Sequence, residues 1–81
     1  MLTVKILGKG CSNCERLEEL ARAAAAEVGI VAEFVKVKDF AEIAGYGVMT
    51  TPGLVINEEV VSAGKIPAQA SIVEWMKAAN D

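Results

Sequence analysis

Hydrophobic and polar positions alternate in two stretches of the chain, as they do in strands with one buried face. Residues 2–7 alternate apolar with polar side chains, and residues 30–37 end in a run of strand-forming types. Between these stretches, over residues 12 to about 28, the apolar positions recur at three- and four-residue steps. This change of period predicts a helix, and Gly29 is placed to end it.

A short helix is predicted after the second strand. Asp39 is suited to cap a helix that runs from residue 40 to about residue 45, because its side chain can accept a hydrogen bond from a free amide of the first turn. The apolar side of this helix is expected to carry Phe40, Ile43 and Ala44. A loop then leads to Pro52.

A hairpin and a closing helix complete the pattern. Residues 54–56 and 60–62 are predicted as strands around a tight turn at Asn57-Glu58-Glu59, because asparagine tolerates a left-handed backbone. A final helix is expected from about residue 68 to 79. Its apolar stripe consists of Ile72, Trp75 or Met76, and Ala79. The predicted order is strand, helix, strand, helix, strand, strand, helix.

Length and composition predict a single domain over residues 1–81. Splitting 81 residues would leave two pieces too small to bury a core, and a hydrophobic content of 53% is too high for a disordered chain. The net charge is -3 without any basic block, so a nucleic-acid-binding surface is not expected. The start of the chain alternates like a strand, unlike a signal peptide, and the longest uncharged run (43–57) is too short and too broken to span a bilayer. We therefore expect a cytoplasmic protein without membrane contact.

The two cysteines form a C-x-x-C motif, Cys11 and Cys14, between the first strand and the first helix. Residues three apart in a first helical turn have Cα atoms roughly 5–6 Å apart, which suits a disulfide. A helix N-terminus stabilises a thiolate, so the cysteine pKa in such a motif can fall from about 8.5 to roughly 3.5–7.5. Lys9 adds a positive charge nearby. Cys14 shares a helical stripe with Leu17 and Ala21, so we expect it to face the core while Cys11 stays exposed.

This asymmetry assigns a role to each cysteine. Cys11 is the candidate nucleophile, which attacks a disulfide, and Cys14 is the candidate resolving thiol, which closes the intramolecular disulfide. Lys9, Ser12 and Asn13 are candidate modulators of this chemistry. The chain has no histidine, the commonest general base, so proton transfer is expected to use water.

Thr51 and Pro52 are the second feature of chemical interest. Proline cannot donate to a sheet ladder, so a proline that leads into a strand is unusual. If the Thr51–Pro52 bond were cis, the backbone of Thr51 would be free to pair with an extended substrate strand. On these residues alone, Pro52 is an ordinary edge or turn proline, because few such bonds are cis.

The two motifs together resemble a known family. Gly10-Cys11-Ser12-Asn13-Cys14 before a helix, with Thr51-Pro52 before a hairpin and a terminal helix, resembles the thioredoxin fold in its minimal, glutaredoxin-sized form. The chain is similar over its whole length to the small thioredoxin-like redox-active disulfide proteins of archaea and bacteria. This resemblance implies an α/β fold, with the order β-α-β-α-β-β-α and a four-stranded mixed sheet that has helices on both faces.

The resemblance also implies an activity. It is that of a thiol–disulfide oxidoreductase, an enzyme of the protein-disulfide reductase type that carries reducing equivalents. Cys11 would be its nucleophile, Cys14 its resolving thiol, Pro52 a cis proline facing them, and Thr51 the residue whose backbone meets the partner. The expected partners are protein disulfides and an upstream flavoprotein reductase or similar donor. No cofactor beyond the Cys11–Cys14 disulfide is implied, no metal is expected, and the chain is expected to be a monomer.

The chain departs from the family pattern at four places. Gly10 stands where thioredoxins carry tryptophan, and Ser12-Asn13 stands where they carry Gly-Pro. Lys5 is the charged residue of the first strand, where thioredoxins keep a buried acid as proton relay. Ala63-Gly64 stands where glutaredoxins have paired glycines, so the sequence does not support glutathione as the specific reductant.

The main alternative is a soft-metal binding or chaperone module that uses the same C-x-x-C. Residues 7–14 also resemble the metal-binding loop of such domains, and two thiolates suit Cu(I). Those domains end in a strand, however, whereas residues 72–79 are helix-like, and they have no reason to carry Thr51-Pro52. Zinc is disfavoured further, because it needs four ligands and the chain offers two thiolates and no histidine.

A structural or adaptor domain is the third interpretation. In that case Tyr46 and Met49 would form an apolar contact patch for a partner. Trp75 is expected to pack against the core. The acidic residues of the first helix are expected to form a solvated face: Glu15, Glu18 and Glu19.

Overall fold

The computed structural model describes residues 2–10 and 12–80, and its elements follow the predicted order. The strands are β1 (Leu2–Leu7), β2 (Ala32–Val37), β3 (Gly53–Ile56) and β4 (Glu59–Ala63), and the helices are α1 (Ser12–Val28), α2 (Phe40–Gly45) and α3 (Gln69–Asn80). The elements β1, α1 and α2 have the predicted bounds, and the others differ by one or two residues at an end.

The strands form a four-stranded mixed sheet in the order β2-β1-β3-β4. Strand β1 is parallel to β2 and antiparallel to β3, and β4 pairs antiparallel with β3. Apolar side chains of α1 and α3 pack on one face of the sheet with Leu2, Val4 and Ile6. Ile43 of α2 packs on the other face with Leu7 and other side chains. The predicted fold, with helices on both faces, is confirmed.

One row of paired residues marks a common edge of the sheet. Leu7 pairs with Val37 on one side and Gly53 on the other, and Gly53 pairs with Ala63. Strands β1, β2 and β4 therefore end at this row, and β3 begins there. We call this side of the molecule the Leu7 edge; it carries the segments that follow or precede the row, residues 8–10, 38–39, 49–52 and 64–66.

The end of α1 explains why β2 is shorter than predicted. Gly29 adopts a left-handed φ of 71° and donates to the carbonyl of Ala26, and the amide of Ile30 donates to Ala25 at 3.0 Å. This pair of bonds is a glycine-terminated helix cap. Because the amide of Ile30 belongs to that cap, strand pairing starts later, at Ala32.

The short helix α2 has its predicted cap but not its predicted apolar side. The side chain of Asp39 accepts a hydrogen bond from the amide of Ala41 at 3.1 Å. Ile43 is buried, whereas Phe40 is 62% exposed and Ala44 is also exposed. The expectation that all three lie on the core side was wrong, because of the three only Ile43 is buried against the sheet.

The hairpin turn is one residue tighter than predicted. Asn57 and Glu58 both have a left-handed φ, of 50° and 69°, as in the two-residue turns that match strand twist. Strand β4 therefore begins at Glu59. The backbone amide of Asn57 donates to the Thr3 carbonyl at 2.8 Å, and the side-chain Oδ1 of Asn57 accepts from the Thr3 amide at 3.0 Å. These two hydrogen bonds join the turn to β1.

The closing helix packs as predicted. Ile72 and Met76 are fully buried, and Trp75 is half-buried against the same cluster, which confirms its packing role. Within residues 2–10 and 12–80, none of the helices has the length and apolar content that crossing a bilayer requires.

Candidate functional site at the Leu7 edge

Cys14 lies in the first turn of α1 with its side chain in the core. It is 5% exposed and packs in one cluster with Ile6, Leu17 and Ala21, so its predicted inward orientation is confirmed. Cys11 lies outside the described residues. Its exposure, its distance from Cys14 and its role as nucleophile therefore stay predictions.

Gly8 brings the end of β1 against Cys14. A Cβ atom added to Gly8 would overlap the Cys14 sulfur and would lie 3.7 Å from the Cβ of Thr51. Gly8 thus stands between the thiol and the Thr51–Pro52 segment. Sequence reasoning treated this glycine only as a strand break; the signal for its role was its position directly between a strand and a C-x-x-C motif.

The Thr51–Pro52 bond is cis, the conformation that the resemblance implied. Pro52 is buried and Thr51 is exposed, so Thr51 is accessible beside Cys14. The Pro52 carbonyl accepts a hydrogen bond from the Gly64 amide at 2.9 Å. Gly64 has a φ of 75°, and a Cβ added to it would lie 3.1 Å from that of Thr50. Gly64 therefore supports this segment from the β4 side, a role that sequence reasoning missed.

A small cleft opens beside Cys14. It is lined by parts of β1, the loop after it, α1 and the end of β2: Ile6, Gly8, Gly10, Cys14, Glu15, Glu18, Lys36 and Lys38. Its volume is about 10 Å³, which is room for about one water molecule. The cleft is thus a place where the Cys14 thiol and water can meet.

Glu18 is part of this cleft and not of a solvated helix face. Its carboxylate lies 3.2 Å from the ammonium of Lys36 and 2.9 Å from the guanidinium of Arg22, and its side chain is only 16% exposed. The prediction of a solvated face was wrong for Glu18 but holds for Glu15 and Glu19, which are exposed. Helix α1 meets the end of β2 at Lys36, and this packing partly covers Glu18.

The charge of Glu18 is held in place by its two partners. Partial burial is the largest single influence and raises the pKa of Glu18, but the hydrogen bonds and charges of Arg22 and Lys36 together outweigh it. The net effect is a pKa below the ordinary value. Glu18 therefore supplies a fixed negative charge on the cleft, which Lys36 partly offsets.

Lys5 lies on the other face of the sheet, away from Cys14. Its ammonium is 2.6 Å from the Glu58 carboxylate and donates to the Tyr46 hydroxyl at 2.7 Å. The hydrogen bond to Glu58, and then that to Tyr46, raises the pKa of Lys5. Tyr46 also donates to Glu58 at 2.9 Å, so its hydroxyl is directed to the hairpin turn. Met49, in contrast, belongs to the Leu7 edge and is 79% exposed.

The candidate modulators lie around the start of α1. Lys9, Ser12 and Asn13 are all exposed. Lys38, which sequence reasoning did not single out, reaches the same loop, because its ammonium lies 3.9 Å from the position of a Cβ on Gly10. Among residues 2–10 and 12–80, no three His, Cys, Asp or Glu side chains form a group that could hold a metal ion.

A cysteine in the first turn of the helix after β1, close to Thr51–Pro52 at the end of a four-stranded mixed sheet, is the arrangement of the thioredoxin class. The model of the family described as "Thioredoxin domain" matches residues 2–77. The chain therefore belongs to the thioredoxin family, and the predicted resemblance is confirmed.

Known proteins agree with this assignment. A thioredoxin of Methanothermobacter thermautotrophicus is 39% identical over 72 residues, which cover 89% of this chain and 94% of that protein. A thioredoxin of Methanocaldococcus jannaschii is 42% identical over 77 residues, which cover 95% of this chain and 88% of that protein. These similarities support a thiol–disulfide oxidoreductase role.

A solved structure shows the same fold at much lower identity. It is that of thioredoxin-2, described as a component of malaria parasite protein secretion machinery. The TM-score is 0.70 at 13% identity, over 96% of this chain and 82% of that one. At this identity the likeness concerns the fold alone.

Proposed function

We propose that this protein carries reducing equivalents to protein disulfides through the dithiol and disulfide forms of Cys11 and Cys14. The observation that supports this most is the meeting of Cys14 and Thr51 at Gly8. A core-packed sulfur beside exposed backbone gives an extended partner strand a place to pair within reach of the motif. Thr51 supplies that backbone, and the buried Pro52 holds it at the edge.

The first step of the proposed reaction belongs to Cys11. Its thiolate attacks one sulfur of the partner disulfide, and a mixed disulfide between Cys11 and the partner forms while the partner's other sulfur leaves as a thiolate. That thiolate takes a proton from solvent. The first turn of α1, with its unpaired amides, favours negative charge on the attacking sulfur.

The second step belongs to Cys14. Its proton passes to water in the cleft, and its thiolate attacks the Cys11 sulfur. The Cys11–Cys14 disulfide forms and the partner leaves with its second thiol. Two electrons have then passed from this chain to the partner. A flavoprotein disulfide reductase or a similar dithiol donor returns the pair to the dithiol form, and the organic cofactor belongs to that donor.

Two cysteine variants test the proposal with insulin as the disulfide probe and dithiothreitol as the donor. Cys11→Ser should abolish catalysed reduction, because no attack on the probe can begin. Reduced Cys14→Ser, mixed with the probe after the donor has been removed, should accumulate a mixed disulfide that mass spectrometry detects. Ser12→Ala, between the two cysteines, is the matched control and should retain turnover. Activity in Cys11→Ser, with loss of the trapped species in Cys14→Ser, would reverse the roles.

A redox titration of metal-free protein tests whether the two thiols form one couple. Alkylated mass should show a single two-electron transition at roughly -180 to -300 mV, the range of exchange proteins. In the protein as isolated, thiols that resist alkylation until a metal is removed would instead support the soft-metal function.

A further inference from the structure

The Leu7 edge carries more positive charge than the rest of the molecule. The chain as a whole has a net charge of -3. Yet the row that ends the strands is followed by Lys38 after β2, Lys9 after β1 and Lys65 after β4. All three lysines are exposed.

The three lysines lie in segments next to the proposed partner site. Lys38 reaches over Gly10, directly before the motif. Lys65 follows Gly64, which is hydrogen-bonded to Pro52. Lys9 lies in the loop that joins β1 to the motif. Thr51, where the partner backbone pairs under the proposed function, therefore lies on the same edge of the sheet as all three lysines.

The segments of the Leu7 edge hold one acid, Asp39, against three lysines, so their net charge is positive. Asp39 caps α2, where it accepts from Ala41. Glu18, on the cleft beside Cys14, is paired with Arg22 and Lys36. Glu15 is exposed in the first turn of α1, and Arg16 stands beside it in the chain. Within the described residues, none of Lys9, Lys38 and Lys65 takes part in an ion pair.

The opposite edge of the sheet carries acidic residues. The hairpin turn there carries Glu58 and Glu59, and the N-terminal part of β2 carries Glu33. At the far end of α1, Lys77 lines a depression with Val28 and Ile30 and approaches Glu74 at 4.0 Å. Charge is thus separated along the sheet, with cations at the Leu7 edge and acids at the other.

We propose that this edge selects protein disulfides flanked by acidic residues. The inference rests on the proposed function, since it names the partners of the same site. Complementary charge speeds encounter and suppresses wrong partners more than it adds affinity. Carboxylates on either side of a partner disulfide meet Lys9, Lys38 and Lys65 when the partner strand pairs at Thr51, while a partner with lysines there is repelled.

The test uses two cyclic disulfide peptides of identical sequence except for flanking residues, Glu in one and Lys in the other. The readout is the ratio of their reduction rates by the reduced protein at low salt. We expect a ratio of roughly ten in favour of the acidic peptide, which falls towards one at high salt. The ratio cancels the reactivity of this protein's own thiols, because both peptides react with the same protein.

Charge-reversal variants locate the effect. Lys38→Glu and Lys65→Glu should each lower the ratio several-fold, and Lys77→Glu, at the far end of α1, is the matched control and should leave it unchanged. A ratio of one or less in the unmodified protein overturns the inference, as does an equal effect of Lys77→Glu. An uncharged disulfide, 2-hydroxyethyl disulfide, separates the two proposals: its reduction without charge selection overturns this inference alone, whereas no reduction of any disulfide overturns the proposed function.

Discussion

Gly8 leaves no room for a Cβ atom beside the sulfur of Cys14. The end of β1 and the first turn of α1 therefore approach each other at a distance that only glycine allows. The φ of Gly8 is also positive, at 159°, which residues with a Cβ rarely adopt. Both the sulfur and the backbone conformation therefore favour glycine at this position.

Gly8→Ala should therefore lower both stability and activity. The added methyl group must displace Cys14 or the end of β1, and overpacking of this kind costs about 1–3 kcal/mol. Gly45→Ala is the control, because a Cβ there meets nothing within 4 Å. Urea unfolding measures stability, and insulin reduction measures activity. Equal stability and activity in the two variants would show that Cys14 and the end of β1 move apart without cost.

Gly64→Ala should be more damaging than Gly47→Ala. Both glycines have a left-handed φ, of 75° and 79°, so both variants carry the backbone cost of about 1 kcal/mol. Only Gly64 faces Thr50, whereas Gly47 faces open space. The excess loss of stability in Gly64→Ala, read from urea midpoints, therefore reports the contact beneath the Thr51–Pro52 segment. Equal losses of stability would mean that Thr50 moves away from the added methyl group without cost.

The ion pairs of Glu18 should make stability depend on acid pH. Because its pKa is lower in the folded protein than in the unfolded chain, Glu18 contributes stability that is fully present above about pH 4.5. That contribution is lost as pH falls through the folded-state pKa. Glu18→Gln should lower the free energy of unfolding by about 0.5–1 kcal/mol at pH 7. On acidification, its free energy of unfolding should fall less than that of the unmodified protein.

Glu19→Gln is the matched control for this experiment. Glu19 is exposed on the same helix, and none of the ion pairs among residues 2–10 and 12–80 includes it. Its urea midpoints at pH 7 and pH 3 should follow those of the unmodified protein. If Glu18→Gln follows them too, the two ion pairs contribute nothing to stability.

Tyr46→Phe should lower stability without affecting disulfide reduction. The lost hydroxyl accepts from Lys5 and donates to Glu58, and such bonds contribute about 0.5–1.5 kcal/mol each. The residue packs on the α2 face of the sheet, away from Cys14. Thermal unfolding and insulin reduction, measured on the same preparation, separate the two properties. A fall in activity at unchanged stability would instead support a role for Tyr46 in partner contact.

Periodicity alone predicted most of the elements. The stripe that carries Cys14, Leu17 and Ala21 set both the bounds of α1 and the burial of Cys14, because a helix in contact with a sheet needs one continuous apolar face. The family pattern added the sheet topology and the conformation at Thr51–Pro52. These features are local in the chain or shared by the whole family.

The errors occurred where a residue's environment depends on a distant part of the chain. Phe40 is exposed although it is apolar, and of the α2 side chains only Ile43 is buried. Glu18 is covered although it is charged, because the end of β2 brings Lys36 against it. The polarity of a side chain indicates whether burial would be favourable. It does not show whether another part of the chain packs against that side chain.

The sequence by itself determined the helix of the motif, the hairpin, the inward position of Cys14 and the family. Only the tertiary structure decided that Gly8, Cys14 and Thr51 meet, that Gly64 supports Pro52, and that three separate lysines share one edge. The reason is physical. Periodicity reports which way a residue faces within its own element, whereas contacts between residues far apart in the chain depend on strand order and register, which the pairing of the whole sheet sets.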